Sequence, residues 1–170
     1  MLYSDFKEAL AAGDVGEGLA SLYLSTIGYE VEDVSANEEY FEPDIDLIAK
    51  TANETMYVEV KADSRMNGTG NAVLETVSNF ATGREGWYYK TKASHVFFVD
   101  IVANIIHCVR VEELKDLYET KRNTFRHIRT QQMENGTYYK EAEIALIPLT
   151  KLRELPHYVQ LTAENVAAVA

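Results

Sequence analysis

The chain is predicted to be an α/β protein built on a mixed β-sheet, and three observations lead there. Runs rich in Val, Ile and Tyr recur along it and are interrupted by segments of helical period. Two such runs, 42–50 and 56–62, are separated by Thr-Ala-Asn-Glu-Thr and read as a hairpin near the middle. Strands mixed with helices bury their apolar faces as a layered sandwich, a sheet with helices against it.

The elements follow in order. Ser4 is a candidate cap for a first helix ending near Gly13, and Asp14 for a second running to Ile27. Val15, Leu19, Leu22, Tyr23 and Ile27 recur at helical spacing and form the expected buried stripe. At about 100° per residue, Glu17 falls at the border of that stripe, beside Ala20 and Leu24. Gly28 stops the helix, and Tyr29 to Ser35 follows as a strand. After the central hairpin, 63–71 is a glycine-containing loop, and Ala72 to Asn79 a strand. Ala81 to Gly86 is a loop and Trp87 to Lys92 a helical turn. His95 to Val102 and Ile105 to Val111 are two buried strands turning at Ala103-Asn104. A helix from Val111 to Asn123 continues into a basic segment. Asn135-Gly136 is a hairpin turn leading into a strand through Ile147, and Leu149 to Leu155 is a short helix. The remaining tail carries no pattern that places it.

Composition narrows the class. A length of 170 residues, 46% of them hydrophobic, suits a single domain spanning 1–170 with its own core. No apolar run approaches the roughly 18 residues of a membrane span, and no signal-peptide pattern opens the chain. The single cysteine, Cys108, excludes an internal disulfide and fits a buried strand, so a cytoplasmic protein is expected. The net charge of −11 opposes an ordinary nucleic-acid binder, because phosphate contacts dominate such affinities. The charge is uneven, however. Residues 28–48 carry eight carboxylates and no Lys or Arg, whereas 120–132 carry Lys121, Arg122, Arg126, Arg129 and His127 with no carboxylate.

The hairpin carries the chemistry. Its strands read Glu-Pro-Asp-Ile-Asp-Leu-Ile-Ala-Lys (42–50) and Met-Tyr-Val-Glu-Val-Lys-Ala (56–62). Side chains alternate along a strand, so Glu59 and Lys61 share one face while Val58 and Val60 take the other. Asp44 and Asp46 likewise share a face. The hairpin can therefore bring two carboxylates and an ammonium together at one end. Magnesium takes oxygen ligands, commonly one or two carboxylates completed by water and substrate phosphate.

These residues resemble the PD-(D/E)xK nuclease superfamily, whose signature of an aspartate, a gap and Glu-x-Lys is matched by Pro43-Asp44-Ile45-Asp46 and Glu59-Val60-Lys61. Upstream, 13–31 is similar to the first helix and strand of that superfamily, and Glu17 stands where its helix often carries a glutamate. Downstream, 68–76 and 90–99 are similar to a phage-type branch. The resemblance covers about 13–102. It implies a restriction-endonuclease-like three-layer sandwich, a central mixed β-sheet flanked by helices, with 103–170 as additions. It also implies an Mg²⁺-dependent endonuclease, with Mn²⁺ able to substitute, acting on DNA in the cytoplasm, that of a bacterial host if phage-encoded. In it Asp46, Glu59 and the carbonyl of Val60 hold the metal, Lys61 orients the attacking water and Glu17 completes the site. Lys121, Arg122, Arg126 and Arg129 then hold the nucleic-acid backbone, and a homodimer is one arrangement for cutting both strands.

Each assignment has a plainer rival. Glu59 and Lys61 also fit a solvated strand face, and Asp44, preceded by Pro43, competes with Asp46 for the metal. Glu17 also fits a carboxylate favoured at a helix N-terminus by the macrodipole. Glu75 is either a further site carboxylate or an edge-strand charge. His95, His107, His127 and His157 lack metal-ligand spacing, and Arg65, Lys90 and Lys92 are phosphate contacts or surface charge. The whole chain also fits a catalytically inactive module that binds nucleic acid or a basic protein, or a ribonuclease on the same fold.

Overall fold

The hairpin forms as its sequence indicates, and the remaining strands assemble around it into two sheets. The structure is a computed structural model describing residues 2–134 and 137–169, with side chains for 11–131 and 140–169. The first sheet contains β2 (Glu30–Asp33), β3 (Leu47–Lys50), β4 (Thr55–Asp63), β7 (His95–Asp100), β8 (Ile105–Arg110) and β11 (Val159–Leu161). The second contains β1 (Leu2–Asp5), β5 (Asn71–Asn79), β6 (Arg84–Glu85), β9 (Arg126–Glu134) and β10 (Thr137–Pro148). The helices are α1 (Phe6–Thr26), α2 (Glu38–Phe41), α3 (Met66–Thr69), α4 (Trp87–Lys90), α5 (Val111–Lys121), α6 (Leu149–Leu152) and α7 (Ala163–Ala167).

In the first sheet the strands run in the order β11-β8-β7-β4-β3-β2. All neighbours are antiparallel except β4 and β7, which are parallel, so the sheet is mixed. One face packs Leu47, Ala49, Val58, Val60, Phe97 and Val99 against Ala20, Tyr23 and Leu24 of α1 and Val166 of α7. The other packs Ile48, Val96, Phe98 and Val109 against Leu74, Ala145 and Ile147 of the second sheet. Trp87 and Tyr88 of α4 and Leu114 and Tyr118 of α5 share that core. The central mixed sheet is therefore flanked by helices on both sides, with the second sheet adding to one of them.

Several local expectations change. Gly13-Asp14 does not split the N-terminal region into two helices, because α1 runs unbroken from Phe6 to Thr26, and Ser4 lies in β1. Each glycine weakens a helix by only about 1 kcal/mol, which tertiary packing can override. Val15 and Leu22 are 54% and 60% exposed rather than buried, while Gly16 and Ala20 face the sheet. The reason is close approach: a Cβ on Gly16 would lie 2.6 Å from Ala62 Cβ and 3.5 Å from Val60 Cγ1. The seam thus runs through small residues, which hydrophobic spacing does not reveal. Gly16→Ala should lower stability in urea unfolding by about 1–2 kcal/mol, overpacking outweighing the helix propensity of alanine. An unchanged midpoint would show that α1 can shift without cost.

The strand expected from Glu42 begins only at Leu47, since Asp44 sits in a turn with φ of 50°. The loop at 63–71 contains the helical turn α3. The basic segment does not prolong α5; a 3₁₀ turn over Arg122–Thr124 leads into β9. Phe125, Ile128 and Thr130 supply the β-forming residues that redirect it. β9 and β10 pair antiparallel as the hairpin signal requires, while Asn135-Gly136 lie outside the described residues. The tail forms β11 on β8, then α7, which Thr162 and Asn165 start with a capping box. Among the described residues no helix is long and apolar enough to cross a membrane.

Candidate metal centre and active site

The site forms where β3 stops short of β4. The last pair of that ladder joins Leu47 to Val58, with Asp46 N–H donating to Val58 O at 2.9 Å. Backbone groups of alternate residues face the same neighbour, so the N–H and C=O of Val60 project beyond the end of β3. Asp46 closes that gap, its Oδ2 accepting from Val60 N–H at 2.7 Å. A cleft of about 240 Å³ opens there. It is lined by Gly13, Asp14 and Glu17 of α1, by Asp46, and by Val60, Lys61 and Ala62 of β4.

Glu59 lies behind the cleft lining and is 1% exposed. Its Oε1 forms an ion pair with Lys61 Nζ, and its Oε2 is buried with no hydrogen-bond partner among the described residues. A solvated strand face does not look like this. Burial pushes the Glu59 carboxyl up to about 8, and Asp46 and Asp44 add to the rise while Lys61 opposes it. Burial also raises Asp46, against the pull of Lys61 and the Val60 N–H. For Lys61, burial works against the charged amine, but Glu59 and Asp46 outweigh it and hold its pKa above the ordinary lysine value.

Glu17 is the twelfth residue of α1, well past the first turn where the macrodipole acts, so that explanation for it lapses. It faces the cleft, and burial raises its pKa, with Asp46, Asp33 and Asp14 adding and a Ser35 hydrogen bond opposing. Asp44 is placed differently from Asp46. Its Oδ2 pairs with Lys90 Nζ at 3.0 Å and its carbonyl accepts from Thr91 Oγ1 at 3.2 Å.

The donor set suits a hard divalent cation. Asp46 and Glu59 offer carboxyl oxygens, the latter one that a bound cation would hold ionised, and the Val60 carbonyl lies on the same edge. Among the described residues no three His, Cys, Asp or Glu side chains converge as a closed cage. A pair of carboxylates leaves coordination positions for water and phosphate, as magnesium sites on phosphate substrates do.

Other predicted residues lie elsewhere. Arg126 and Arg129 are three positions apart on β9 and so take opposite faces of the second sheet. Arg129 stacks over the Phe80 ring at 4.1 Å, and Arg122 approaches Glu119 at 3.9 Å. The basic segment is therefore not one continuous stripe. Arg65 approaches Asp63 at 3.8 Å. Glu75 lies on β5 in the second sheet, away from the cleft. The histidines have structural partners: His107 with Tyr158 at 2.7 Å, His127 with Glu143 at 3.6 Å, His157 with Glu113, and His95 with Ser94 at 2.9 Å. Cys108 is buried on β8, and burial pushes its thiol pKa up. Sequence reasoning missed Trp87, over whose ring Lys61 Nζ lies at 5.3 Å, and the lining residue Asp14.

No protein-family model matches this chain, and no curated protein matches it in sequence. Among solved structures it is similar to a bacterial homing endonuclease, I-Ssp6803I, at 15% identity and a TM-score of 0.48. The likeness covers 87% of this chain and 84% of that one. At such a distance it bears on neither site nor chemistry, which rest on this chain's own residues.

Proposed function

We propose that this protein is a magnesium-dependent nuclease of the PD-(D/E)xK type that hydrolyses phosphodiester bonds in DNA, with Mn²⁺ able to replace Mg²⁺. The observation that carries the reading is Glu59: a buried carboxylate with an unpartnered oxygen, beside Asp46 and joined to Lys61. Burying a carboxylate is costly unless a cation or donor completes it. Asp46, Glu59 and the Val60 carbonyl would hold the metal, and Glu17 would complete the site from across the cleft. Mg²⁺ bound there would supply Lewis-acid polarisation of the scissile phosphate and acidify water. The ammonium of Lys61, fixed by Glu59, orients the attacking water and offsets charge that builds on the phosphate oxygens. Asp46 keeps Val60 in place through its amide while presenting its other oxygen. Because Arg126 and Arg129 take opposite faces of the second sheet, one substrate would not meet all of Lys121, Arg122, Arg126 and Arg129; those on the face turned to it would contact its backbone, contributing affinity without reading sequence.

The test places supercoiled plasmid, branched DNA and single-stranded RNA side by side, each with Mg²⁺ or EDTA. Cleavage of DNA with Mg²⁺ alone is expected. Cleavage confined to RNA would make the protein a ribonuclease, and metal-independent binding without cleavage would make it a binding module.

A further inference from the structure

We propose that Trp87 is a positioning residue for Lys61, and that α4 sets the geometry of the site from behind. Lys61 Nζ lies 5.3 Å from the Trp87 ring centroid while pairing with Glu59, so the ammonium is held between an aromatic face and a carboxylate. Trp87 is 7% exposed and braced by Phe98 and Tyr88, at ring-centroid distances of 6.2 Å and 6.4 Å. It cannot swing away without opening the core. Nor can α4 move as a unit. Gly86 N–H donates to Thr76 O at 3.0 Å, and a Cβ on Gly86 would lie 2.0 Å from the Glu75 carbonyl oxygen. Only glycine lets the helix start that close to β5.

The other end of α4 grips the turn that delivers Asp46. Lys90 pairs with Asp44, Thr91 Oγ1 donates to the Asp44 carbonyl, and Lys92 N–H donates to the Pro43 carbonyl at 2.9 Å. One short segment thus fixes both Lys61 and the approach to Asp46, although neither Trp87 nor Lys90 lines the cleft. A cation over an indole is favoured by the ring quadrupole, the more so when water is excluded. Lys61 itself lines the cleft and is 32% exposed, so its ammonium stays within reach of it.

The effect on turnover rests on the nuclease reading; the effect on Lys61 itself does not. Trp87→Leu should lower kcat about tenfold with little change in KM. Trp87→Phe, which keeps an aromatic face, should retain most of the rate. Both variants are compared by thermal unfolding so that activity is scaled to folded protein. Independently, the ¹⁵N signal of the Lys61 ammonium should be observable in wild type and Trp87→Phe and broadened away in Trp87→Leu. Unchanged ammonium signals in all three proteins would overturn the proposal. So would equal losses of kcat in Leu and Phe variants that follow only the folded fraction. If wild type cleaves no substrate, the nuclease reading fails, and the ammonium signals still decide the role of Trp87.

Discussion

Exchange of Lys61 for alanine is expected to lower DNA cleavage by about a thousandfold, the scale for removing one preorganised group that stabilises developing charge. The chain should remain folded, because Lys61 contributes no backbone pairing that alanine lacks, and β4 keeps its ladder to β7. Glu59 then loses its cation, and its carboxyl, already pushed up to about 8, holds its proton more tightly still. Lys61→Met is the companion variant. It keeps the apolar stem against Trp87 without the charge, and should be as inactive as alanine. Plasmid nicking rates alongside far-UV circular dichroism check this. Wild-type rates in both variants would remove Lys61 from the mechanism.

The second large effect belongs to Glu59. With no metal bound, its raised pKa means the folded state keeps a proton that the unfolded chain releases near pH 4.5. The folded form therefore binds more protons between about pH 4.5 and 8, and stability falls as pH rises through that window. His107, pushed down to about 4, acts in the opposite sense below pH 6.5 and is flat above it. His95, also lowered, is likewise flat above pH 6.5, so the difference between wild type and Glu59→Gln from pH 6.5 to 8 reports the carboxylate. Across it the metal-free wild type should lose about 1–2 kcal/mol that Glu59→Gln does not lose. Saturating Mg²⁺ should reverse the wild-type trend, since a metal binds the ionised form and stabilises only the folded state. Glu59→Gln should also be inactive. Urea unfolding across pH, with Mg²⁺ and with EDTA, provides the check. Identical pH profiles for wild type and variant would show that Glu59 is not the buried acid described.

The strands around the motif were legible in the sequence because their periodicity is set by burial on a pleated surface. Val58 and Val60 turn to α1 while Glu59 and Lys61 turn away, as alternation alone requires. Asp46 lines the cleft, whereas Asp44 sits in the turn before it and pairs with Lys90. In the N-terminal helix Leu19, Tyr23 and Ile27 pack inward as their spacing requires, but Val15 and Leu22 do not, because Gly16 makes the closest approach to β4 and such an approach leaves no hydrophobic signature. The second sheet was hidden because β1 pairs with β9 and β5 with β10 across long stretches of chain, and register between distant segments has no local signal. Trp87 could not be assigned to the site from its sequence position. Only the approach of α4 to β5 through Gly86 brings it beneath Lys61.

The most direct test of the account is the binding of Mn²⁺, followed by electron paramagnetic resonance, to wild type and to Glu59→Gln. One tightly bound ion per chain in wild type, lost in the variant and displaced by Mg²⁺, is the expected result. Equal binding by both proteins, or none by wild type, would contradict a metal centre at Asp46 and Glu59.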